Sequence, residues 1–238
     1  MALLPTQFDF HLAATLSRYL RGHPLFDHCV DSAIDHHLLG GIPFACGIFY
    51  FWVRAERENH REILVRLVSI LLGSLVTIAL LLMAGKMNSW LPPRHQPVLS
   101  HLYPSYLEPD ANSNSFPSDS TGVFTSIAVG ILSISETAGL ALLAAVPVFV
   151  SLPRMYVGGH FLSDVIAGFL LGVTGYAIAR YGLESWFSTR ILAIGSRPGW
   201  RRTSFETCIF LWILEVAVNF REGVWIVHTL RYFHGKLF

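Results

Sequence analysis

The sequence predicts an all-α membrane protein, a polytopic helix bundle of five or six spans with an amphipathic helix at its N-terminus. Three observations lead there. Hydrophobic residues make up 53% of the 238 residues and charged residues only 14%, about half the charged share of an ordinary soluble domain. The apolar residues, at a mean hydropathy of +0.49, are gathered into runs close to the length that crosses a bilayer. Arginines collect in two of the segments between runs, as they do on the cytoplasmic side of membrane proteins.

Each element follows in chain order. Leu12, Leu16, Tyr19 and Leu20 recur at helical spacing with Arg18 and Arg21 on another face, which predicts an amphipathic helix lying in the membrane interface. Asp9, His11, Arg18 and Arg21 interrupt the apolar stretch that a cleaved signal peptide requires. The first span runs over Ile34–Val53, apolar from Leu38 onward, and closes on Tyr50, Phe51 and Trp52, an interfacial aromatic cluster. Ile63–Gly85 is the clearest span, with Arg66 able to snorkel from its first turn. After the polar loop 86–120, Thr121–Ser135 and Ala138–Leu152 form a helical hairpin turned at Glu136 and Thr137. Val165–Leu183 is the fifth span, carrying the small residues Ala167, Gly168, Gly172 and Gly175 that allow close helix packing in lipid. Phe205–Phe220 is a sixth candidate. Being short and holding Glu215, it either lies in the interface or packs on the bundle. The expected organisation is 1–33 as an amphipathic N-terminal segment, 34–183 as the membrane domain, and 184–238 as a basic cytoplasmic segment with a C-terminal helix.

Orientation follows from the basic residues. Arg54, Arg57 and Arg61 precede the second span, and Arg180, Arg190, Arg197, Arg201 and Arg202 follow the fifth. Both groups fall on one side, which should be cytoplasmic. The loops 86–120 and 153–160 then share the outer face, where residues far apart in sequence can build one site.

Composition also excludes some functions. A net charge of +1 gives no general attraction for nucleic acid, and no basic-aromatic patch suits single strands. Cys29, Cys46 and Cys208 are scattered without a C-x-x-C pair and read as buried free thiols. His36, His37, His60, His228 and His234 read as interfacial residues rather than metal ligands.

The residues that can carry chemistry lie on the outer loops. If the fifth helix begins near His160, then His160 and Asp164 stand one turn apart on one face. A carboxylate there can hold the imidazole in one tautomer and leave the second nitrogen free as base or nucleophile. Arg154, six residues earlier, offers a planar fork for phosphate oxygens. Gly158 and Gly159 allow backbone amides to approach an anion. Ser115-Phe116-Pro117-Ser118-Asp119-Ser120-Thr121 precedes the third span, where a capped helix N-terminus presents free amides to an anion. There Asp119 reads first as a cap, since a carboxylate repels phosphate. Lys86 and Arg94 add cations on the same face.

Together these pieces resemble the type 2 phosphatidic acid phosphatase superfamily, which includes the vanadium haloperoxidases. That family's third motif is arginine, five residues, histidine, three residues, aspartate, and Arg154, His160 and Asp164 fit it in full. Its second motif, proline-serine-aspartate-histidine, is matched by Pro117, Ser118 and Asp119, with Ser120 in the place of histidine. Its first, lysine, six residues, arginine, proline, is loosely similar to Lys86 and Arg94, one residue too long. The resemblance covers roughly residues 60 to 180. It implies an integral membrane enzyme, of the bacterial inner membrane with its site facing the periplasm or outer side, that hydrolyses a lipid phosphate. It further implies that His160 attacks phosphorus and Asp164 orients it, while Lys86, Arg94, Ser118 and Arg154 hold the phosphate and no metal or cofactor is needed.

In that family the second-motif histidine protonates the leaving oxygen, so Ser120 is the informative departure. Serine is a poor general acid near neutral pH, and losing such an acid typically costs about 10²–10⁴-fold. An alkoxide leaving group needs the proton more than a phosphate leaving group does. The expected substrate is therefore a lipid diphosphate, with a polyprenyl carrier such as undecaprenyl diphosphate as the first choice. His95 or His101 could replace the acid, or Ser120 could be an introduced change. The alternatives to hydrolysis are an impaired or inactive lipid-phosphate binder, and a phosphotransferase with an acceptor other than water.

Overall fold

The computed structural model describes residues 7–20, 38–88, 115–156, 159–188, 190, 193 and 200–218. Among them the chain forms seven helices and no strand, as the sequence predicts. They are α1 (Gln7–Leu20), α2 (Leu38–Glu58), α3 (Arg61–Asn88), α4 (Asp119–Leu132), α5 (Glu136–Tyr156), α6 (Leu162–Ala177, continued by a wider π-helical stretch Ile178–Ser188) and α7 (Trp200–Ala217). Three of these, α3, α5 and α6, are long and apolar enough to cross a membrane. The protein is an integral membrane protein on that evidence. Of the other expected spans, α4 is apolar but short, α2 is uncharged up to Val53 and charged beyond it, and α7 carries Arg201, Arg202, Glu206 and Glu215.

α4 is the centre of the bundle. Ser120 to Ala128, Gly130 and Ile131 are all buried, so this helix has no polar outer face and is enclosed on every side. Phe124, Ile127 and Ile131 pack with Phe44 and Ile48 of α2, Leu67 and Ile70 of α3, and Val146 and Val150 of α5. The outward faces of the long helices expose Leu75, Leu82 and Met83 on α3, Val148 and Phe149 on α5, and Ile166, Phe169 and Leu170 on α6. Apolar surface of that extent is what lipid, rather than water, would cover.

The glycines of α6 explain how α4 and α6 come so close. A side chain at Gly168 would overlap the Ser118 carbonyl, and one at Gly172 the Gly122 carbonyl. Gly175 meets α3 in the same way, at Thr77. The small residues expected in the fifth span thus act as predicted.

Three local details differ from the sequence expectations. The hairpin turns at Ser133–Ser135, and Glu136 already belongs to α5, whose N-cap Ser135 accepts from the Ala138 amide at 3.5 Å. The reason is chemical, since serine caps a helix and glutamate suits its first turn. α5 widens into a π-helical turn at Val146–Ser151, where Pro147 has no N–H and the Leu152 amide bonds back to its carbonyl. Cys46 and Cys208 are free, but both are exposed on their helices rather than buried. Cys29, His36, His37, His228 and His234 lie outside the described residues, and His60 is exposed beside Glu58 at 3.0 Å.

α7 packs along α2 in the opposite sense, with Phe205 near Trp52 at one end and Ala217 against Gly41 at the other. Arg202 reaches Glu56 at 3.6 Å, and Glu184, paired with Arg180, accepts from Ser69 at 2.7 Å. The basic segments therefore share one end of the bundle. The opposite end carries Lys86, Ser115–Ser120, Arg154 and His160–Asp164.

Candidate active site

The candidate site is built where three helix ends meet. α3 arrives with Lys86 exposed at its end, and Gly85 lies beside the Phe116 carbonyl. The short segment Ser115–Ser118, with a cis Phe116–Pro117 peptide, leads into α4. α6 begins at Leu162, and the Ser118 amide donates to the Asp164 carbonyl at 3.1 Å. That bond ties the start of α4 to the first turn of α6.

His160 sits just before α6, with its side chain only 12% exposed. Its Nδ1–H donates to the Ser115 carbonyl at 2.8 Å. A carbonyl can only accept, so this bond fixes the tautomer and leaves the lone pair on Nε2. Burial pushes the His160 pKa down to about 4, the positive charge of Arg154 adds to the fall, and Asp119 and the Ser115 carbonyl oppose it. The imidazole is therefore neutral across the physiological range.

Asp164 is fully buried, with Oδ2 4.0 Å from His160 Nδ1. The expected imidazole–carboxylate hydrogen bond is replaced by the one to Ser115. The helix starts two residues later than expected, which makes Asp164 its third residue, and Oδ2 instead accepts from the Phe161 amide at 2.8 Å. The carboxylate thus secures the backbone next to His160 while remaining close enough to favour positive charge on the ring.

Asp119 links the remaining groups. Its Oδ1 accepts from the Ser120 amide at 2.7 Å, from the Ser120 hydroxyl at 3.2 Å and from Arg154 Nη1 at 3.4 Å. The carboxylate is 76% exposed, whereas Arg154 is 22% exposed. Ser120 is buried, and its hydroxyl points to Asp119. Ser118, also buried, shares a 3.0 Å hydrogen bond with Thr121, which shares another of 3.0 Å with Ser151 on α5. The Ser151 contact is made where α5 widens at Pro147.

The structure thus joins Ser118, Asp119, Ser120, Arg154, His160 and Asp164 through one set of contacts. Lys86 stands at the neighbouring helix end, and Arg94, His95, His101 and Gly158 lie outside the described residues. No group of three or more potential metal ligands occurs among the described residues. Sequence reasoning missed the Ser115 carbonyl, because a backbone atom leaves no signature in residue type. It also missed Asp9, which accepts from the Ser163 amide at 3.1 Å and the Ser163 hydroxyl at 2.8 Å.

Chemically, the arrangement offers a neutral imidazole of defined tautomer, a guanidinium beside it, and a helix N-terminus with its positive dipole end. Groups of these kinds can serve as a nucleophile and an anion cradle. The family model of the PAP2 superfamily matches residues 64–187, a stretch that contains α4, α5 and nearly all of α3 and α6. No curated protein and no solved structure gives a match.

Proposed function

We propose, because this chain belongs to the PAP2 superfamily, that it is a membrane lipid phosphatase acting on lipid diphosphates through a phosphohistidine on His160. Members of the superfamily are generally phosphatases, and the bundle is a membrane one. The observation that carries the finer reading is the His160–Ser115 bond, which leaves Nε2 unprotonated beside Arg154.

The proposed step begins with the terminal phosphoryl group held by Arg154, Ser118 and the α4 amides, with Lys86 and Arg94 supplying further positive charge. The Nε2 lone pair of His160 forms the N–P bond as the bridging P–O bond breaks, and the leaving oxygen takes that electron pair. The ring becomes cationic, and the Ser115 carbonyl and the Asp164 carboxylate stabilise it. Water then attacks phosphorus, the N–P bond breaks, and inorganic phosphate leaves with neutral His160 restored.

A phosphate leaving group already carries its charge over several oxygens, whereas an alkoxide needs a proton as the bond breaks. With Ser120 in the acid's place and its hydroxyl on Asp119, diphosphates are the favoured substrates and a polyprenyl diphosphate is the leading candidate. The basic end of the bundle is assigned to the cytoplasm and the site to the outer, periplasmic side. A second reading, a lipid-phosphate binder without turnover, draws on the same internal engagement of Ser120.

Phosphate release from a polyprenyl diphosphate and from phosphatidic acid, with His160→Ala alongside, tests the assignment. Turnover of the diphosphate that vanishes in His160→Ala is the expected result. Faster turnover of phosphatidic acid would overturn the substrate preference, and binding without release in every case would establish the binder.

A further inference from the structure

The N-terminal helix reaches the site through a contact that its amphipathic pattern does not require. Asp9 on α1 is buried, at 3% exposed. Both of its carboxylate oxygens accept from Ser163, Oδ1 from the amide and Oδ2 from the hydroxyl. Next to it, the Phe10 ring meets the Phe161 ring edge-on, with centroids 5.1 Å apart. Ser163 and Phe161 flank Leu162 within the turn that holds His160 and Asp164. Phe161 is also the residue whose amide Asp164 secures.

We propose that Asp9 is a positioning residue for the nucleophile, with the N-terminal helix clamping the His160–Asp164 turn in register with the Ser115 carbonyl. This inference rests on the reading of His160 as the attacking group. Two carboxylates share the work at the start of α6, where unpaired amides attract negative charge. Asp164 fixes the Phe161 amide from within the helix, and Asp9 fixes the Ser163 amide from outside it. Without the outer clamp the turn keeps its bonds at the Phe161 amide and the Asp164 carbonyl but loses the hold on the Ser163 amide. His160 then loses its fixed distance to Ser115, on which both its tautomer and the aim of Nε2 depend. A misplacement of about 1 Å at such a group can cost on the order of 100-fold in rate.

The test uses the full-length chain in detergent with farnesyl diphosphate as substrate, rates being normalised to folded protein. Asp9→Ala should lower kcat about 10- to 100-fold with KM within about twofold of the parent. Asp9→Asn, whose amide oxygen still accepts from Ser163, should recover most of that loss. Ser163→Ala deletes only the hydroxyl bond and should lower kcat by less, again at constant KM; it carries the test if Asp9→Ala does not fold.

Unchanged kcat in Asp9→Ala or, where that variant is unfolded, in Ser163→Ala would overturn the proposal, as would an Asn variant as slow as the Ala variant. So would a loss confined to KM. If His160→Ala retains parental activity, the nucleophile assignment fails and this inference fails with it. An inactive His160→Ala together with a fully active Asp9→Ala overturns the positioning role alone.

Discussion

His160 and Ser115 are joined by a 2.8 Å hydrogen bond from Nδ1–H to a backbone carbonyl 45 residues earlier in the chain. The bond ties the imidazole to the segment that begins α4, so the proposed nucleophile and the helix end proposed to face phosphate are held as one unit. The following expectations start from that unit.

The ring titrates low. With a pKa of about 4 set chiefly by burial, His160 stays neutral where a free imidazole is largely protonated. The acid limb of kcat/KM, once substrate ionisation is divided out, should bend near pH 4. A bend near 6.5 would show an ordinary imidazole instead. Stability has a matching sign. Between about 6.5 and 4 the unfolded chain binds this proton and the folded chain does not, so stability falls as pH falls through that window. Above it the contribution is constant. His160→Gln should remove that part of the slope, measured as the thermal midpoint against pH.

On the proposed reading, Asp119 competes with substrate for Arg154. Its exposed carboxylate holds Arg154 at 3.4 Å, and a phosphate entering the site must displace it. Exposed pairs of this kind contribute about 0–1 kcal/mol. Asp119→Asn should therefore lower KM by up to about fivefold with little change in kcat, because the amide oxygen still accepts from the Ser120 amide. A raised KM would show that Asp119 supports the bound state.

Ser120→His should add the missing proton donor. The expected gain is largest for monoesters, within the range of about 10²–10⁴-fold typical of general acid catalysis, and small for diphosphates. Initial rates on phosphatidic acid and farnesyl diphosphate measure the contrast. Equal gains on both substrates would remove leaving-group protonation as the reason for the preference. A second consequence is steric, because Ser120 is buried and the larger ring must turn toward the substrate.

Gly168 sets the spacing of α4 and α6. A side chain there would overlap the Ser118 carbonyl, and Ser118 caps the helix proposed to face phosphate. Gly168→Leu should lower stability by at least about 1–3 kcal/mol and reduce activity in the protein that remains folded. Thermal unfolding in detergent and specific activity report the two effects separately. Parental values for both would show that the helices can separate without cost.

Much of this was legible in the residues. Gly168, Gly172 and Gly175 announced a close helix contact, because only small residues permit it and their spacing places them on one face. Arg154, His160 and Asp164 lie within one short stretch, so their proximity followed from chain geometry alone. The start of α6 was misplaced by two residues, and that small shift moved Asp164 from the imidazole to the Phe161 amide. Ser115 was invisible as a partner because its contribution is a carbonyl, which every residue has. Asp9 was invisible for a different reason. One acidic residue in an amphipathic helix looks like part of its wet face, and only the fold brings it to Ser163, 154 residues away. Nothing in residue type says that a wide turn at Pro147 will carry Ser151 to Thr121.

The enclosure of α4 also sets a thickness. Its inner end is level with Ile70 of α3, which packs against Gly130, and its outer end with Gly85, beside Phe116. These levels are roughly fifteen residue steps apart along α3, or about 23 Å. The inner level carries Ser133 and Tyr176, joined at 2.8 Å, and the outer level carries the site. A bilayer core of about 30 Å is thicker than that, but α4 is enclosed on every side, and the helices that face lipid, α3 and α6 among them, are long enough to cross it. α3 supplies the difference at the basic end, where it runs from Ile70 back to Arg61, so the short helix places the candidate site at the level where the surrounding helices end.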